Sequence, residues 1–415
     1  MIITKKSYHN KFIIITLTLI IIVSSGHVFQ TIFPQMQYLS VLSSLILIIP
    51  VLNSISKKKV DICLASFLIF CMMFLVTCVS NFDPNRMYYI LNICILITAY
   101  GMSYIYSFDG MVNYYIKIMS FVTIIGLIGY FLINNTVILN VLPRITSTNN
   151  FEYYVGGIFN SIVMYPTRNC GMFWEPGLFA TYLTIALVFE IIYREEKTSV
   201  FRVVIFCVGI LTAHSSAGYV LLILVVMLMV TKNSKAEKKG IMYIVNLVFF
   251  ILMLVCLMNY ESIILHTPLA DSEYIQKLMP ENFMDSTRVL ALNHNLKIFF
   301  QNPIFGVGIT SFYSQSRYVS DTSTSTFFLS VYGIIGIIYT VLWIYAICSD
   351  KKLNIYSKMI VIAIIFSILN KEPHSGILFT WCLLFWLLQR HVEYKKGKNN
   401  ECYQKSKRQP IKYLK

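Results

Sequence analysis

The sequence predicts an all-α, polytopic integral membrane protein with about 12 transmembrane helices and two large outward-facing loops. Three observations predict this class. Hydrophobic residues make up 57% of the chain and charged residues only 13%, and the mean hydropathy of +0.67 is well above that of a soluble domain. The apolar residues are gathered into runs of about 17 to 25 residues. Lysine and arginine are distributed unevenly between the segments that join these runs.

Each predicted span is an apolar run with no charged residue near its middle, as expected of a helix that crosses lipid. The predicted spans are residues 12–28, 38–55, 60–80, 87–106, 113–133, 176–193, 199–213, 217–231, 241–258, 326–348, 357–370 and 375–389. The first has a basic flank and a Ser-Ser-Gly end, as a secretory signal peptide has. Its length and the spans that follow favour an uncleaved signal anchor. The absence of charge at mid-span argues against an ion-coupled pump.

These spans divide the chain into six parts. They are a five-helix membrane scaffold (1–133), a first outward loop (134–175), a four-helix membrane segment (176–258), a second outward loop with a surface helix (259–325), a three-helix membrane segment (326–390) and a basic cytoplasmic tail (391–415). Both outward loops are too long to be mere connectors, and long loops of this kind are usually functional.

The distribution of basic residues predicts the orientation. With the N-terminus inside, 25 of the 34 Lys and Arg residues lie in predicted cytoplasmic segments and eight in outward ones, so both termini are predicted to be cytoplasmic. The same bias accounts for the net charge of +15. Anionic lipid is therefore the expected partner of the basic segments, and no nucleic-acid partner is expected. No cysteine spacing is typical of a metal site, and we expect neither a metal nor a cofactor.

The first outward loop ends in a polar segment that runs into the sixth span. This segment contains Arg168 and then Glu175, which immediately precedes Pro176. A helix N-terminus stabilises an anion, so Glu175 is a candidate cap. The alternatives are that it orients Arg168, holds a sugar hydroxyl or acts as the general base. Aromatic residues of the same loop, among them Trp174, could form a platform for sugar rings or anchor at the lipid interface.

The second outward loop contains a helix signal that begins at Asp285, a plausible N-cap, and stops at Asn302-Pro303. Its apolar positions are Val289, Leu292, Leu296 and Phe299. We expect this helix to lie on the outer membrane surface. Arg288 and Asn295 should share a face of it, whereas His294 is rotated away by about 120°.

Four elements follow one another along the chain. They are Arg168-x-x-Gly171-x-Phe173-x-Glu175-Pro176-Gly177-x-Phe179-Ala180, His214-Ser-Ser-Ala-Gly218-Tyr219, Thr287-Arg288 followed by Asn302-Pro303-Ile-Phe-Gly306-Val-Gly308, and Tyr332-Gly333-Ile-Ile-Gly336. In this order and topology they resemble the O-antigen polymerase and ligase superfamily of bacterial membrane glycosyltransferases. The Glu-Pro-Gly form is more similar to the polymerase branch. The family often has a His-Asn pair after the Gly-x-Gly element, where this chain reads Asp321-Thr-Ser-Thr-Ser-Thr326.

The resemblance implies a metal-independent enzyme of the bacterial inner membrane. It would polymerise undecaprenyl-diphosphate-linked oligosaccharide repeats into O-antigen or capsular polysaccharide by inverting glycosyl transfer. A chain-length regulator is a further candidate partner. The alternatives are a ligase of the same superfamily and a lipid-linked oligosaccharide flippase. A flippase should depend on charges inside its cavity, and the predicted spans lack them.

The chemistry implied by the resemblance needs cations at the diphosphate and a base at the acceptor hydroxyl. Arg168 and Arg288 are the candidates to hold the diphosphate, with Arg317 assisting. The base candidates are Glu175, His294 and His214, although His214 could also cap a helix end. Gly306 and Gly308 could present amides to phosphate or form a plain turn.

Overall fold

The computed structural model describes residues 18–57, 60–133, 141–148, 150–194, 196–233, 287–315, 320–371 and 373–408. The chain is mostly helical. Within the described ranges, five helices are long and apolar enough to cross a membrane: Ile62–Ser80, Arg86–Ile105, Phe108–Ile133, Pro176–Tyr193 and Thr324–Cys348. Four other apolar helices are shorter: Val41–Ser56, Val200–Thr212, Ser216–Lys232 and Ile355–Leu369.

These nine helices coincide with nine of the twelve predicted spans, so the prediction of a mostly helical chain with several helices that could cross a membrane is confirmed. The last predicted span is the beginning of a helix that extends from Leu378 to Arg408. Residues 18–23 of the first predicted span are helical, and its remaining N-terminal part lies outside the described residues, as does the whole of 241–258. The number twelve is therefore not confirmed.

In chain order the helices are α1 (Val28–Ile32), α2 (Tyr38–Lys57), α3 (Ile62–Ser80), α4 (Arg86–Ile105), α5 (Phe108–Ile133), α6 (Pro176–Val188), α7 (Val200–Thr212), α8 (Ser216–Asn233), α9 (Thr287–Gln301), α10 (Gly308–Gln315), α11 (Thr324–Tyr332), α12 (Ile337–Cys348), α13 (Ile355–Leu369) and α14 (Leu378–Arg408). Polar side chains begin several of them. Asp61 accepts a hydrogen bond from the Leu64 amide at 3.0 Å, and Asn354 accepts one from the Ser357 amide at 2.8 Å. Each bond satisfies a backbone donor that the first turn of a helix leaves open.

A stack of aromatic rings forms the centre of the core. The ring of Phe379 in α14 lies parallel to that of Tyr115 in α5, with centroids 4.9 Å apart, and it also stacks on Tyr182 in α6 at 5.1 Å. The same segment of α14 also contacts the residues just before α1, because the Phe379 amide donates to the Ser25 hydroxyl at 2.8 Å. Aromatic contacts of this kind add about 0.5 to 1.5 kcal/mol per pair beyond their burial, so α5, α6 and α14 form one packed unit.

The helix ends gather into two groups at opposite ends of the helices. The contacts at one end, which we call the outward end after the prediction, join His27 with Phe173, Gly177 with Lys371, Ser323 with Asn370, and Asp83 with Ile309. Those at the opposite end, which we call the inner end, join Ile191 with Lys232, Tyr193 with Lys352, and Asp350 with Arg390. Each contact joins helix ends that the charge bias assigns to the same side.

The first outward loop contains a small antiparallel sheet that the sequence analysis did not predict. Its strands are β1 (Arg144–Thr146), β2 (Glu152–Val155) and β3 (Asn160–Ile162), in the order β1-β2-β3. In the register, Ile145 lies opposite Tyr153 and Tyr153 opposite Ile162. Strands this short carry too little pattern to be recognised. The loop is therefore a folded unit on the outward end.

The tenth predicted span, 326–348, is present within Thr324–Cys348, but a 3-10 turn interrupts it after Tyr332. It divides into α11, a 3-10 turn (Gly333–Gly336) and α12. The break allows the Ile334 amide to donate to the Pro303 carbonyl at 2.7 Å. At the break Gly333 has φ +65°, and a Cβ there would lie 2.3 Å from the Ile304 carbonyl oxygen.

We expect Gly333→Ala to destabilise the protein by roughly 2 to 5 kcal/mol, from the left-handed backbone and the overpacked carbonyl together. Thermal unfolding of the purified protein in detergent measures this. Two alanine variants serve as controls. Gly157 has φ +83° but open space around it, and Gly376 has open space without a positive φ, so the loss should be small at Gly157 and negligible at Gly376. Equal losses at all three sites would contradict the proposed close approach.

Candidate functional site

The segment around Arg168 is held in place by buried hydrogen bonds rather than by regular structure. The Asn169 side chain donates to the Thr212 hydroxyl at 3.0 Å and accepts from the Gly171 amide at 2.9 Å. The Gly171 carbonyl in turn accepts from the Asn160 side chain at 3.1 Å. The loop is thus fastened to the end of α7 on one side and to strand β3 on the other. Arg168 is carried by an ordered backbone.

Arg168 and His214 form one electrostatic unit. The guanidinium lies over the ring of Tyr165, 4.6 Å from its centroid. The His214 Nδ1 lies 3.2 Å from the Tyr219 hydroxyl and its Nε2 lies 3.4 Å from the Tyr130 hydroxyl. Burial, and then the positive charge of Arg168, lower the pKa of His214. Its imidazole is therefore neutral at neutral pH, at a position held by two phenols.

The backbone of His214 supports a positioning role. It has φ +46°, which a non-glycine residue adopts only when its surroundings impose it. The Tyr219 hydroxyl lies 3.3 Å from the Leu211 carbonyl. If it donates there, Nδ1 carries the proton toward Tyr219 and Nε2 accepts from Tyr130. In this arrangement both ring nitrogens are used, and the predicted role of His214 in binding substrate stays a prediction.

Glu175 occupies the N-cap position of α6, but its side chain makes no capping hydrogen bond. Instead its Oε1 is buried with no hydrogen-bond partner among the described residues. Both Glu175 and Arg168 act electrostatically on the buried thiol of Cys170, whose pKa burial raises to about 12. Glu175 thus has the predicted position at the N-terminus of α6, but it does not cap the helix through a side-chain hydrogen bond. A buried carboxylate oxygen without a donor is costly and is typical of a group that meets a ligand.

Lys371 is a cation of the site that sequence analysis counted as outward but did not single out. It is 3% exposed, and its Nζ donates to the Gly177 carbonyl in the first turn of α6 at 2.7 Å. Its neighbour Asn370 accepts from the Ser323 hydroxyl at 3.1 Å and from the Ser325 amide at 3.3 Å. The turn after α13 therefore connects the Glu175 region to the start of α11.

Asp321 lies in a 3-10 turn (Ser320–Thr322) just before α11. Its Oδ2 accepts from the Tyr313 hydroxyl at 3.1 Å, and its Oδ1 is buried with no partner in the part of the chain that the structure describes. Burial raises the pKa of this carboxyl. The hydroxyl of Ser325 is likewise buried without a described partner, and Tyr88 lies close enough to Asp321 to interact with its charge. Asp321 stands where the family often has a His-Asn pair, and sequence analysis noted it only as a departure.

The second outward segment is anchored by Asp83, which lies in a turn that sequence analysis treated as scaffold. Asp83 is 3% exposed, and its carboxylate accepts from the Tyr89 hydroxyl, the amides of Ile309 and Thr310, the Thr310 hydroxyl and the Asn85 amide. These bonds outweigh the opposing effect of burial and lower its pKa. The anion-binding amides that open α10 are therefore already occupied by a carboxylate.

Gly306 and Gly308 have packing roles in this conformation. A Cβ at Gly308 would lie 2.7 Å from the Asp83 carboxylate, and a Cβ at Gly306 would lie 2.3 Å from the Val331 carbonyl. The Gly306 amide donates to the Asn302 carbonyl at 3.1 Å. These contacts favour close packing of the second outward segment on α11 over the predicted contact of Gly306 and Gly308 with phosphate.

The predicted surface helix is present as α9, and it packs on α11 through a face that the sequence analysis did not specify. The structure buries Ala291, Asn295 and Ile298, while Leu292 is 38% exposed. Asn295 can be buried because α9 packs on α11, where the Thr326 hydroxyl accepts a hydrogen bond from the Asn295 side chain at 3.0 Å. His294 is half-buried and its Nε2 has no partner among the described residues.

The remaining predicted site residues are placed less fully. The backbone of Arg288 is in the first turn of α9, but its side chain lies outside what is described, as do Arg317 and the predicted cap Asp285. Trp174 is half-buried, its amide donates to the Gly26 carbonyl at 3.0 Å, and its ring packs against the core.

Glu175 and Lys371 thus both lie at the first turn of α6, and the bond between Asn370 and Ser323 links that turn to the segment that holds Asp321. Together with Arg168, these side chains can bind a ligand that combines negative charge with hydroxyl groups, since they include cations and two carboxylates that each have an oxygen without a described donor. Among the described residues, no group of three His, Cys, Asp or Glu side chains is arranged to hold a metal ion. Comparison of the chain with family models, curated proteins and solved structures finds no match.

Proposed function

We propose that the chain is a membrane glycosyltransferase that polymerises undecaprenyl-diphosphate-linked oligosaccharide repeats into O-antigen or capsular polysaccharide on the outer face of the bacterial inner membrane. One observation carries the proposal. Two acidic side chains at the outward end, Glu175 and Asp321, each keep a buried oxygen without a described donor. Buried oxygens of this kind are usually satisfied, and sugar hydroxyls are donors that would satisfy them.

In the proposed reaction a cation binds the leaving diphosphate and a carboxylate accepts the proton. Arg168 holds the diphosphate, because a guanidinium is always charged and can form two parallel bonds to phosphate oxygens. The acceptor hydroxyl oxygen forms a bond to the anomeric carbon as the bond from that carbon to the phosphate oxygen breaks. The diphosphate leaves with the electron pair, and the hydroxyl proton passes to a carboxylate. This scheme requires no metal ion.

We assign the proton to Asp321 rather than to His214. The raised pKa of Asp321 makes it a stronger base than an ordinary aspartate. The lowered pKa of His214 makes that imidazole a weaker one. Glu175 is then free to hold a hydroxyl of the donor or acceptor sugar.

The function is tested on a gel of surface glycan from cells that lack the protein. We expect these cells to keep a single repeat unit on the acceptor but to lose the ladder of longer chains, and the wild-type gene to restore the ladder. If no repeat unit reaches the acceptor at all, the polymerase assignment is wrong. The side of the membrane on which lipid-linked material accumulates then separates a ligase from a flippase.

Arg168→Ala is expected to lower ladder formation by about 100-fold, the loss typical of one charge-stabilising donor. Arg168→Lys should recover only part of it, since an ammonium cannot form the paired contact. The matched control is Arg144→Ala, because Arg144 lies in the same loop with its guanidinium 5.0 Å from the centre of the Tyr154 ring. Full activity with lysine at position 168 would contradict the forked contact, and an equal loss at position 144 would contradict a specific role for Arg168.

A further inference from the structure

The inner end carries a cleft whose charge the glycosyl-transfer proposal does not use. Its volume is about 260 Å³. The titratable side chains that line it are Asp350, Lys351, Lys352, Arg390, His391 and Tyr394. Three of these side chains are permanently cationic and one is acidic, so the lining has an excess of two positive charges.

The acidic group in the cleft is already neutralised. Arg390 lies 2.6 Å from the Asp350 carboxylate and is held between the rings of Phe108 and Tyr193, at 5.1 and 4.9 Å from their centroids. The Asp350 side chain is only 6% exposed. A ligand entering the cleft therefore meets little of the negative charge, while the arginine is fixed as part of the wall.

The two lysines remain available to a ligand. The Lys351 ammonium lies 3.8 Å from the centroid of the half-exposed Tyr394 ring and has no carboxylate partner among the described residues. The Lys352 ammonium is 3.4 Å from the Tyr193 carbonyl and 3.9 Å from the Asp109 carboxylate. That pair is weak, because both side chains are about two-fifths exposed and exposed ion pairs contribute little.

An apolar stripe leads from the cleft along α12. Its exposed residues, Ile337, Val341, Ile344, Tyr345 and Cys348, recur at helical spacing on one face, and the stripe ends directly before Ser349 at the edge of the cleft. A soluble anion would use the lysines alone. A ligand with both a phosphate and a hydrocarbon chain would use the lysines and the stripe together.

We propose that this cleft binds the phosphate headgroup of an anionic phospholipid, with an acyl chain lying along the α12 stripe. The site is at the opposite end of the helices from Arg168 and Asp321, so it stands independently of the proposed reaction. Lysines near an anionic headgroup each add favourable electrostatic energy, and the stripe supplies the apolar contact that selects a lipid.

The test is retention of phosphatidylglycerol by the purified full-length protein in detergent, measured by native mass spectrometry. We expect the double variant Lys351→Ala/Lys352→Ala to bind this lipid roughly 10- to 30-fold more weakly, the loss expected for two lysines at an anionic surface. Lys351→Arg/Lys352→Arg should retain it. The matched control is Lys117→Ala, since Lys117 is another predicted inner-side lysine above a tyrosine ring, at 5.6 Å from the centroid of Tyr114.

Two further arms identify the ligand. Phosphatidylcholine should be retained less well than phosphatidylglycerol, because its headgroup has no net negative charge. Inorganic phosphate and glycerol 3-phosphate should fail to displace phosphatidylglycerol. Displacement by either soluble anion would overturn the assignment to a lipid, and unchanged retention in the double alanine variant would overturn the site itself.

Discussion

Asp321→Asn should reduce repeat-unit polymerisation by about 100- to 10,000-fold, the range expected when a general base is lost, without lowering thermal stability at neutral pH. The amide keeps the shape of the side chain but cannot take a proton. Stability should not fall, because burial raises the pKa of Asp321, which means that its ionised form is disfavoured in the folded protein. If Asp321 only supported the fold, the Asp321→Asn protein would lose activity and stability together.

The stability of the wild-type protein should depend on pH through Asp321. A carboxyl whose folded-state pKa is raised contributes stability below its ordinary pKa of 3.8, and this contribution is lost as the pH rises through the folded-state value. The melting temperature of the wild type should therefore fall relative to that of Asp321→Asn over this rise. Asp109→Asn, at the inner end with a side chain 43% exposed, is the control that should preserve the ladder. An active Asp321→Asn protein would remove Asp321 from the reaction.

Asp83→Ala should cost about 3 to 5 kcal/mol of folding stability, the loss typical when one partner of a buried charged network is removed. The substitution leaves the Tyr89 hydroxyl and the amides of Ile309 and Thr310 without their acceptor. Unfolding in detergent measures the loss. The matched control is Asp61→Ala, which removes an aspartate that caps α3 through the Leu64 amide and should cost only about 1 kcal/mol.

The loss of stability in acid should also depend on Asp83. Its pKa is lowered from 3.8 because the hydrogen bonds that it accepts outweigh burial. Its contribution is therefore complete above the ordinary aspartate range and is lost as the pH falls below 3.8 toward the lowered value. Asp83→Asn should lack this acid-dependent loss. If wild type and Asp83→Asn lose stability in parallel between pH 4 and 2, Asp83 is not the electrostatic anchor of α10.

Most of the helices were predictable because the residues that determine a helix are close together in the sequence. The apolar run predicted as the span 60–80, for example, is the helix Ile62–Ser80 in the structure, although its cap, Asp61, was included in the predicted span and not recognised as a cap. The break at Gly333 was not predictable, because it depends on the Pro303 carbonyl reaching the Ile334 amide from a distant segment. The short strands 144–146 and 160–162 were missed for the related reason that three residues carry no usable period.

Some residues of the candidate site were likewise predictable from the local sequence, and others were not. Arg168 and Glu175 stand out in the sequence, as charged residues beside an apolar helix. Lys371 and Asp321 do not, since their importance comes from burial against Gly177 and beside Tyr313. The stretch at Asp321 did contain one signal, a carboxylate where the resemblance leads one to expect a histidine.

The bond between Ser25 and Phe379 has a consequence for biogenesis. The two residues are 354 positions apart, so at ~5 to 20 residues per second the ribosome needs roughly 20 to 70 s to make the second after the first. During translation Ser25, which follows the helical residues 18–23, lacks this bond while the helices between the two residues are made. A chain that stops before α14 never forms the bond, and synthesis of the last helix is the step that joins residue 25 to α14.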